Sequence, residues 1–150
     1  MPVSGLDWVS PNPPSVDRPC IAILRGQSHV QAALAAWLQA DLPAYEVLMA
    51  ASPAALVAIT QARAPALIIV DVDNQFRKGV GLIRQLRRQE PQLPILALGA
   101  GDAAPYAQAA YQAGADRYIA HSQLDEQVIL IIRDLLAGRS RLRPGVTTSS

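Results

Sequence analysis

Five short apolar runs punctuate the chain: Cys20-Ile21-Ala22-Ile23-Leu24, Tyr45-Glu46-Val47-Leu48-Met49-Ala50, Ala66-Leu67-Ile68-Ile69-Val70, Ile95-Leu96-Ala97-Leu98 and Arg117-Tyr118-Ile119-Ala120. Each has strand length. The third, with β-branched Ile68, Ile69 and Val70, is continuous enough to be buried on both faces, as a central parallel strand is. Between the runs, apolar residues recur at every third or fourth position, the spacing of one helix face. Val30, Ala33, Leu34, Trp37 and Leu38 mark a helix over about 29–40, with Trp37 in the core or at its rim. Leu56, Val57 and Ile59 mark a second, ending near Ala62. Leu82, Ile83 and Leu86 mark a third, opened by Gly79 and ended by Pro91 and Pro94. A fourth runs from Asp102 to about Ala113, and a fifth to about Ala137 with Leu124, Val128, Ile131 and Leu135 on one stripe.

Local signals agree with these boundaries. Ser28 and Asp102 suit helix N-caps. Ser52 before Pro53 supplies an N-cap hydroxyl and then a ring whose φ suits a first turn. Gly114 suits a helix end, and Ser122-Gln123-Leu124-Asp125 is close to a capping box. Strand and helix alternate five times with no hairpin signal, so neighbouring strands run parallel through right-handed crossovers. The expected fold is a doubly wound α/β sheet with helices on both faces. Its ligand crevice lies at the carboxyl ends of the strands. There the loops Arg25-Gly26-Gln27, Asp71-Val72-Asp73, Gly99-Ala100 and His121-Ser122 converge. Asp71 either lines this crevice or only caps the segment that follows.

Composition narrows the function. Of 150 residues 51% are hydrophobic and 17% charged, enough for one domain to bury a core. The net charge of +1 comes without a block of like charge, which argues against nucleic-acid binding by this segment. Arg77, Lys78, Arg84, Arg87 and Arg88 read as a solvated helix face. The single cysteine, Cys20, allows no intrachain disulfide and no cysteine-based metal site. With no export signal and no apolar run of membrane-span length, a cytoplasmic protein without membrane association is expected. Residues 1–18, with Pro2, Pro11, Pro13 and Pro14, read as a flexible tail, with docking of Trp8 and Val9 on the domain or on a partner as the alternative. Residues 19–137 form the domain, and 138–150 a linker or tail.

Several stretches, in this order and spacing, resemble the receiver domain of two-component response regulators. They are Leu67-Ile68-Ile69-Val70-Asp71-Val72, Gly79 eight residues after Asp71, Leu82-Ile83-Arg84-Gln85-Leu86-Arg87, Pro94-Ile95-Leu96-Ala97-Leu98, and Ala113-Gly114-Ala115-Asp116-Arg117-Tyr118-Ile119. The resemblance covers about 19–137. It implies a flavodoxin-like (βα)5 fold with strand order 2-1-3-4-5. It also implies a phosphoacceptor at Asp71, served by a histidine kinase. In the family, acidic residues after the first strand help hold magnesium, a lysine near the last strand neutralises the phosphoryl group, and a Ser or Thr after the fourth strand couples it to an aromatic switch residue.

Here the acidic pair falls on Arg25 and Gly26. The hydroxyl position falls on Gly99, the lysine on His121 and the aromatic switch on Tyr118. Lys78 stands where an acidic residue usually precedes the helix glycine. Arg25 is expected to pair with Asp71 in place of a metal, unless it turns into solvent; a guanidinium within about 4–6 Å would hold the carboxylate ionised. Asp73 offers a substitute carboxylate, but two carboxylates beside an arginine make a poor octahedral magnesium site. No cofactor is expected. His121 reads as a hydrogen-bonded structural residue, replacing the lysine only when protonated. With no nucleophile motif and no dinucleotide fingerprint, an enzyme is not expected.

The expected function is therefore a phosphorylation-independent interaction module, a pseudo-receiver. Two alternatives stay open: a working receiver phosphorylated at Asp71, and a small flavodoxin-like ligand binder or enzyme. The expected partner is a protein, or a second copy, at the last two helices and the strand between them. Tyr106, Tyr111, Ile129, Leu130, Ile132 and Leu136 are the interface candidates, because the apolar positions of the last helix spill beyond one stripe. A generously covered core would give the same pattern. A DNA-binding domain within a longer chain is a further candidate partner.

Overall fold

A computed structural model describes residues 8–9, 19–24, 30–72, 76–99, 104–123 and 127–140. In chain order the elements are β1 (Trp8–Val9), β2 (Cys20–Leu24), α1 (Val30–Asp41), β3 (Glu46–Ala50), α2 (Pro53–Arg63), β4 (Leu67–Asp71), α3 (Phe76–Gln89), β5 (Ile95–Gly99), α4 (Ala104–Ala113), β6 (Arg117–Ala120) and α5 (Gln127–Ser140), with a 3-10 turn at His121–Gln123. The sheet runs β1-β3-β2-β4-β5-β6. Its five parallel strands, β2 to β6, have the expected order 2-1-3-4-5 when counted among themselves.

Both faces of the sheet are covered, which is why the middles of its parallel strands are apolar. On one face Ala22, Leu48, Ile68, Val70, Ile95 and Ala97 meet Leu56 and Ile59 of α2, Leu82, Ile83 and Leu86 of α3, and Ala110 and Ala113 of α4. On the other, Ile21, Ile23, Val47, Leu67, Ile69, Leu96 and Leu98 meet Leu34 and Leu38 of α1 and Val128, Ile129, Ile132 and Leu136 of α5. Ser52 caps α2: its hydroxyl oxygen accepts from the Ala55 N–H at 3.1 Å, and Pro53 opens the helix.

Several expectations are corrected. The N-terminal stretch is not all tail: Trp8–Val9 pairs antiparallel with β3, opposite Ala50 and Met49. An edge position tolerates nearby prolines because a ladder is needed on one side only. α3 begins at Phe76, three residues before Gly79, and α5 continues to Ser140 rather than ending near Ala137. Trp37 is 36% exposed, outside the packed interior. Ile129, Ile132 and Leu136 are interface candidates no longer, since they are buried in the domain's own core. The α5 stripe is wide because this one helix covers much of its face of the sheet.

Arg87 is not a solvated residue. Its guanidinium donates to the carbonyls of Gly114, Glu90 and Pro91 and pairs with Asp116 at 2.9 Å. The same Asp116 oxygen accepts from the Ile95 N–H, so one carboxylate ties the start of β5 to the turn before β6. Gly114 holds φ +124 there, and a Cβ on it would lie 2.8 Å from Arg87 Cβ and Cγ. Both the backbone angle and the space require glycine.

Candidate functional site

Asp71 closes β4, opposite Leu98 of β5, and the next residue anchors the exit: the Val72 N–H donates to the Leu98 carbonyl at 2.8 Å. The sheet thus delivers Asp71 to its carboxyl edge, where a doubly wound fold opens its crevice. α3 comes close to this turn. A Cβ on Gly79 would lie 2.7 Å from Val72 Cβ and 3.1 Å from its Cα, so the absence of a side chain lets the helix approach the segment leaving Asp71.

The Asp71 side chain is fully buried, and its Oδ2 lies 3.0 Å from Nε2 of His121, which is 16% exposed. With Asp71 ionised the carboxylate only accepts, and the ring's Nε2–H is then the donor. A buried carboxylate demands such a partner, because taking it out of water without one is costly. His121 opens the 3-10 turn after β6. The Gln123 Oε1 accepts from the Ala120 N–H at 3.4 Å within that turn. His121 therefore does stand in the crevice and bonds to Asp71.

Gly99 and Tyr118 meet beside it. Gly99 ends β5 opposite Ala120, and Tyr118 lies opposite Ala97. A Cβ built on Gly99 would collide with the Tyr118 hydroxyl and would lie 3.0 Å from ring Cε1 and Cζ. Tyr118 thus fills the space a side chain at 99 would need. Its N–H donates to the hydroxyl oxygen of Tyr111, 3.2 Å away on α4. Tyr111 and Tyr106 are 44% and 43% exposed, and Leu130 on α5 is 63% exposed.

Arg25, Gly26 and Asp73 lie outside the described residues, as do Ser28, Asp102, Leu124 and Asp125. The expected Arg25–Asp71 pair falls with them. Among the described residues, no three His, Cys, Asp or Glu side chains are grouped so as to hold a metal ion. No described helix is long and apolar enough to cross a membrane.

The opposite end of the sheet carries a second buried charge, which residue-level reading missed. Glu46, fully buried at the start of β3, pairs with Arg63 at the end of α2 at 2.8 Å. Cys20 lies within their field. Burial pushes its thiol up to about 11, Arg63 opposing and Glu46 adding. A polar residue opening an otherwise apolar strand was the available signal. The arginine that answers it lies 17 positions away.

The family model for the response regulator receiver domain matches residues 21–133. The chain is 31% identical over 104 residues to Probable transcriptional regulatory protein TcrX of Mycobacterium tuberculosis, covering 69% of this chain and 42% of that protein. The chain thus spans less than half the length of this curated relative. Among solved structures, a CheY-like receiver domain protein of Methanospirillum hungatei superposes with a TM-score of 0.72 at 18% identity, over 83% of this chain and 98% of that one. The receiver domain of NtrX from Brucella abortus gives 0.70 at 23%, over 78% and 98%. The flavodoxin-like α/β sheet has the receiver strand order, and the family match spans nearly all of it; the chain belongs to the response regulator receiver domain family.

Proposed function

We propose that this receiver domain is a pseudo-receiver, a protein-interaction module of signal transduction whose output does not depend on phosphorylation of Asp71. The observation that carries this reading is the contact between His121 and Asp71. One oxygen of the acceptor carboxylate is already bonded to an imidazole, on a side chain with no solvent exposure. Phosphoryl transfer depends on positioning and on charge stabilisation around the transferred group. The residues at the corresponding positions of this chain do not supply that setting. Arg25 and Gly26 bring no carboxylate, Gly99 has no hydroxyl, and His121 replaces a permanently charged lysine.

The same donor set does not fit magnesium. That ion takes near-octahedral oxygen ligands, whereas Asp71 offers one carboxylate already bonded to an imidazole. We therefore assign no metal cofactor and no catalytic role to this site, and the pairing of Arg25 with Asp71 remains part of the same proposal. The partner surface we assign comprises α4, β6 and α5, with exposed Tyr106, Tyr111 and Leu130 as its apolar contacts. A histidine kinase or a second copy is the candidate partner there. TcrX is named as a transcriptional regulatory protein, so a DNA-binding output unit is a further partner class, to be sought in the full reading frame.

The test is exposure to acetyl phosphate with magnesium, followed by intact mass measurement. The wild-type chain is expected to gain no phosphoryl group. A phosphoryl adduct that disappears in Asp71→Asn would overturn the reading and make the domain a working phosphoacceptor.

A further inference from the structure

We propose that Trp8–Val9 is an edge guard: it occupies the β3 edge of the sheet and keeps a second copy of this chain from adding there by strand pairing. This surface is separate from α4, β6 and α5, and its behaviour does not depend on whether Asp71 is phosphorylated.

Without β1 the sheet would end at β3. The strand Glu46–Ala50 is apolar after its first residue. An apolar outermost strand offers its outward backbone groups to any strand that meets it. In the folded chain this edge is shielded. β1 pairs antiparallel with its carboxyl end, Trp8 opposite Ala50 and Val9 opposite Met49, and also approaches α2. Val47, Leu48 and Ala50 are buried. The guard therefore replaces a five-residue edge with a two-residue one. Pro11, Pro13 and Pro14 follow it closely in the sequence. Proline has no N–H to donate, so the guard cannot lengthen into a new edge. Shortness and proline are both features that make an outer strand a poor template. The opposite edge is blunted by another means, since the Tyr111 hydroxyl accepts the Tyr118 N–H of β6.

Chain geometry makes the guard act on its own copy. β1 and β2 flank β3, so they lie about 10 Å apart. Residues 10–19 join them, and such a segment reaches roughly 33 Å. The link has slack, and a strand on so short a tether acts at an effective concentration on the order of mM. At lower chain concentrations a second copy's β3 competes at a disadvantage. The hold is nonetheless light. A ladder this short opens more readily than the central strands. Once it is open, two β3 edges can pair antiparallel about a two-fold axis through Leu48, which sets each Val47 opposite the other copy's Met49.

The experiment is light scattering over a concentration series on the full chain and on Trp8→Pro/Val9→Pro. Successive strand residues face opposite ways, so the double substitution removes the N–H aimed at β3 whichever residue carries it. The variant's weight-average mass is expected to at least double relative to the wild type at the same concentration. Amide exchange locates the new contact. In the variant, the amides of residues 47–50 that face β1 exchange fast in dilute solution and become protected as concentration rises. Ile68, Ile69 and Val70 stay protected throughout, which shows that the domain is folded. Adding Met49→Lys returns the variant to the wild-type mass, because a charged edge side chain opposes pairing. A folded variant that keeps the wild-type mass overturns the proposal. So does a mass gain that Met49→Lys leaves intact, or one that brings no protection to residues 47–50. If the proline variant loses protection at Ile68, Ile69 and Val70, Trp8→Gly/Val9→Gly carries the same comparison, and an unchanged mass there overturns the proposal.

Discussion

Removing the Arg63 guanidinium tests whether the amino end of the sheet depends on one ion pair. Arg63→Met keeps a long apolar stem at the end of α2 but deletes the 2.8 Å contact to Glu46, whose side chain has no solvent exposure. Breaking a buried pair from one side costs about 3–5 kcal/mol, because the remaining charge keeps its desolvation penalty. A domain of this size is stable by roughly 5–15 kcal/mol, so the loss is a large share. With a urea slope of about 2 kcal/mol/M, the unfolding midpoint should fall by about 2 M. Circular dichroism across a urea series measures it. The double variant Glu46→Leu with Arg63→Met is the control. A matched apolar replacement of a buried pair is neutral or stabilising, so most of the loss should return. A small deficit, about 0.3–1 kcal/mol, would remain from losing a cation at a helix C-terminus. A single variant losing under ~1 kcal/mol, or a double variant no better than the single, would refute the reasoning.

Other perturbations follow from the same structure. The Cys20 thiol, ordinarily near 9.0, is raised to about 11 in the fold. Above pH 9 the unfolded chain therefore releases a proton that the folded chain keeps, and stability falls as pH rises from about 9 through about 11. The contribution reaches at most ~3 kcal/mol, measured as the difference between wild-type and Cys20→Ala stability curves over that window. Gly114→Ala combines a φ of +124 with a clash against Arg87. It should cost about 2–3 kcal/mol and lower the thermal midpoint by about 5–10 °C in calorimetry. Val9→Pro removes a strand N–H from β1 and should speed amide exchange at Met49, its partner on β3, while changing global stability by less than ~1 kcal/mol.

Legibility from the sequence followed sequence distance. The five parallel strands were readable to within a residue or so, because a sheet covered on both faces needs continuous apolar runs and the chain displays them; the two-residue edge strand β1 was not. The approach of His121 to Asp71 follows from the same alternation, which puts both at carboxyl ends of strands. The start of α3 was not, because Phe76-Arg77-Lys78 shows no apolar period and Gly79 looks like a boundary. Its small size instead serves the approach to Val72. Arg87 resembled its solvated neighbours, since its partners Gly114 and Asp116 arrive 27 and 29 positions later. In α5 the apolar spill was ambiguous between a partner face and a broad core. Burial assigns Ile129, Ile132 and Leu136 to the core and leaves Leu130 outside.

The two buried carboxylates share one physical requirement and meet it by different means. Glu46 opens a strand at one end of the sheet, and Asp71 closes a strand at the other; neither side chain reaches water. A buried carboxylate persists in its charged form only if something nearby supplies hydrogen bonds or positive charge. Arg63 meets that need with a permanent charge, which suits a purely structural pair. His121 meets it with a donor that serves in either protonation state of the ring, so the bond to Asp71 requires no ion from outside.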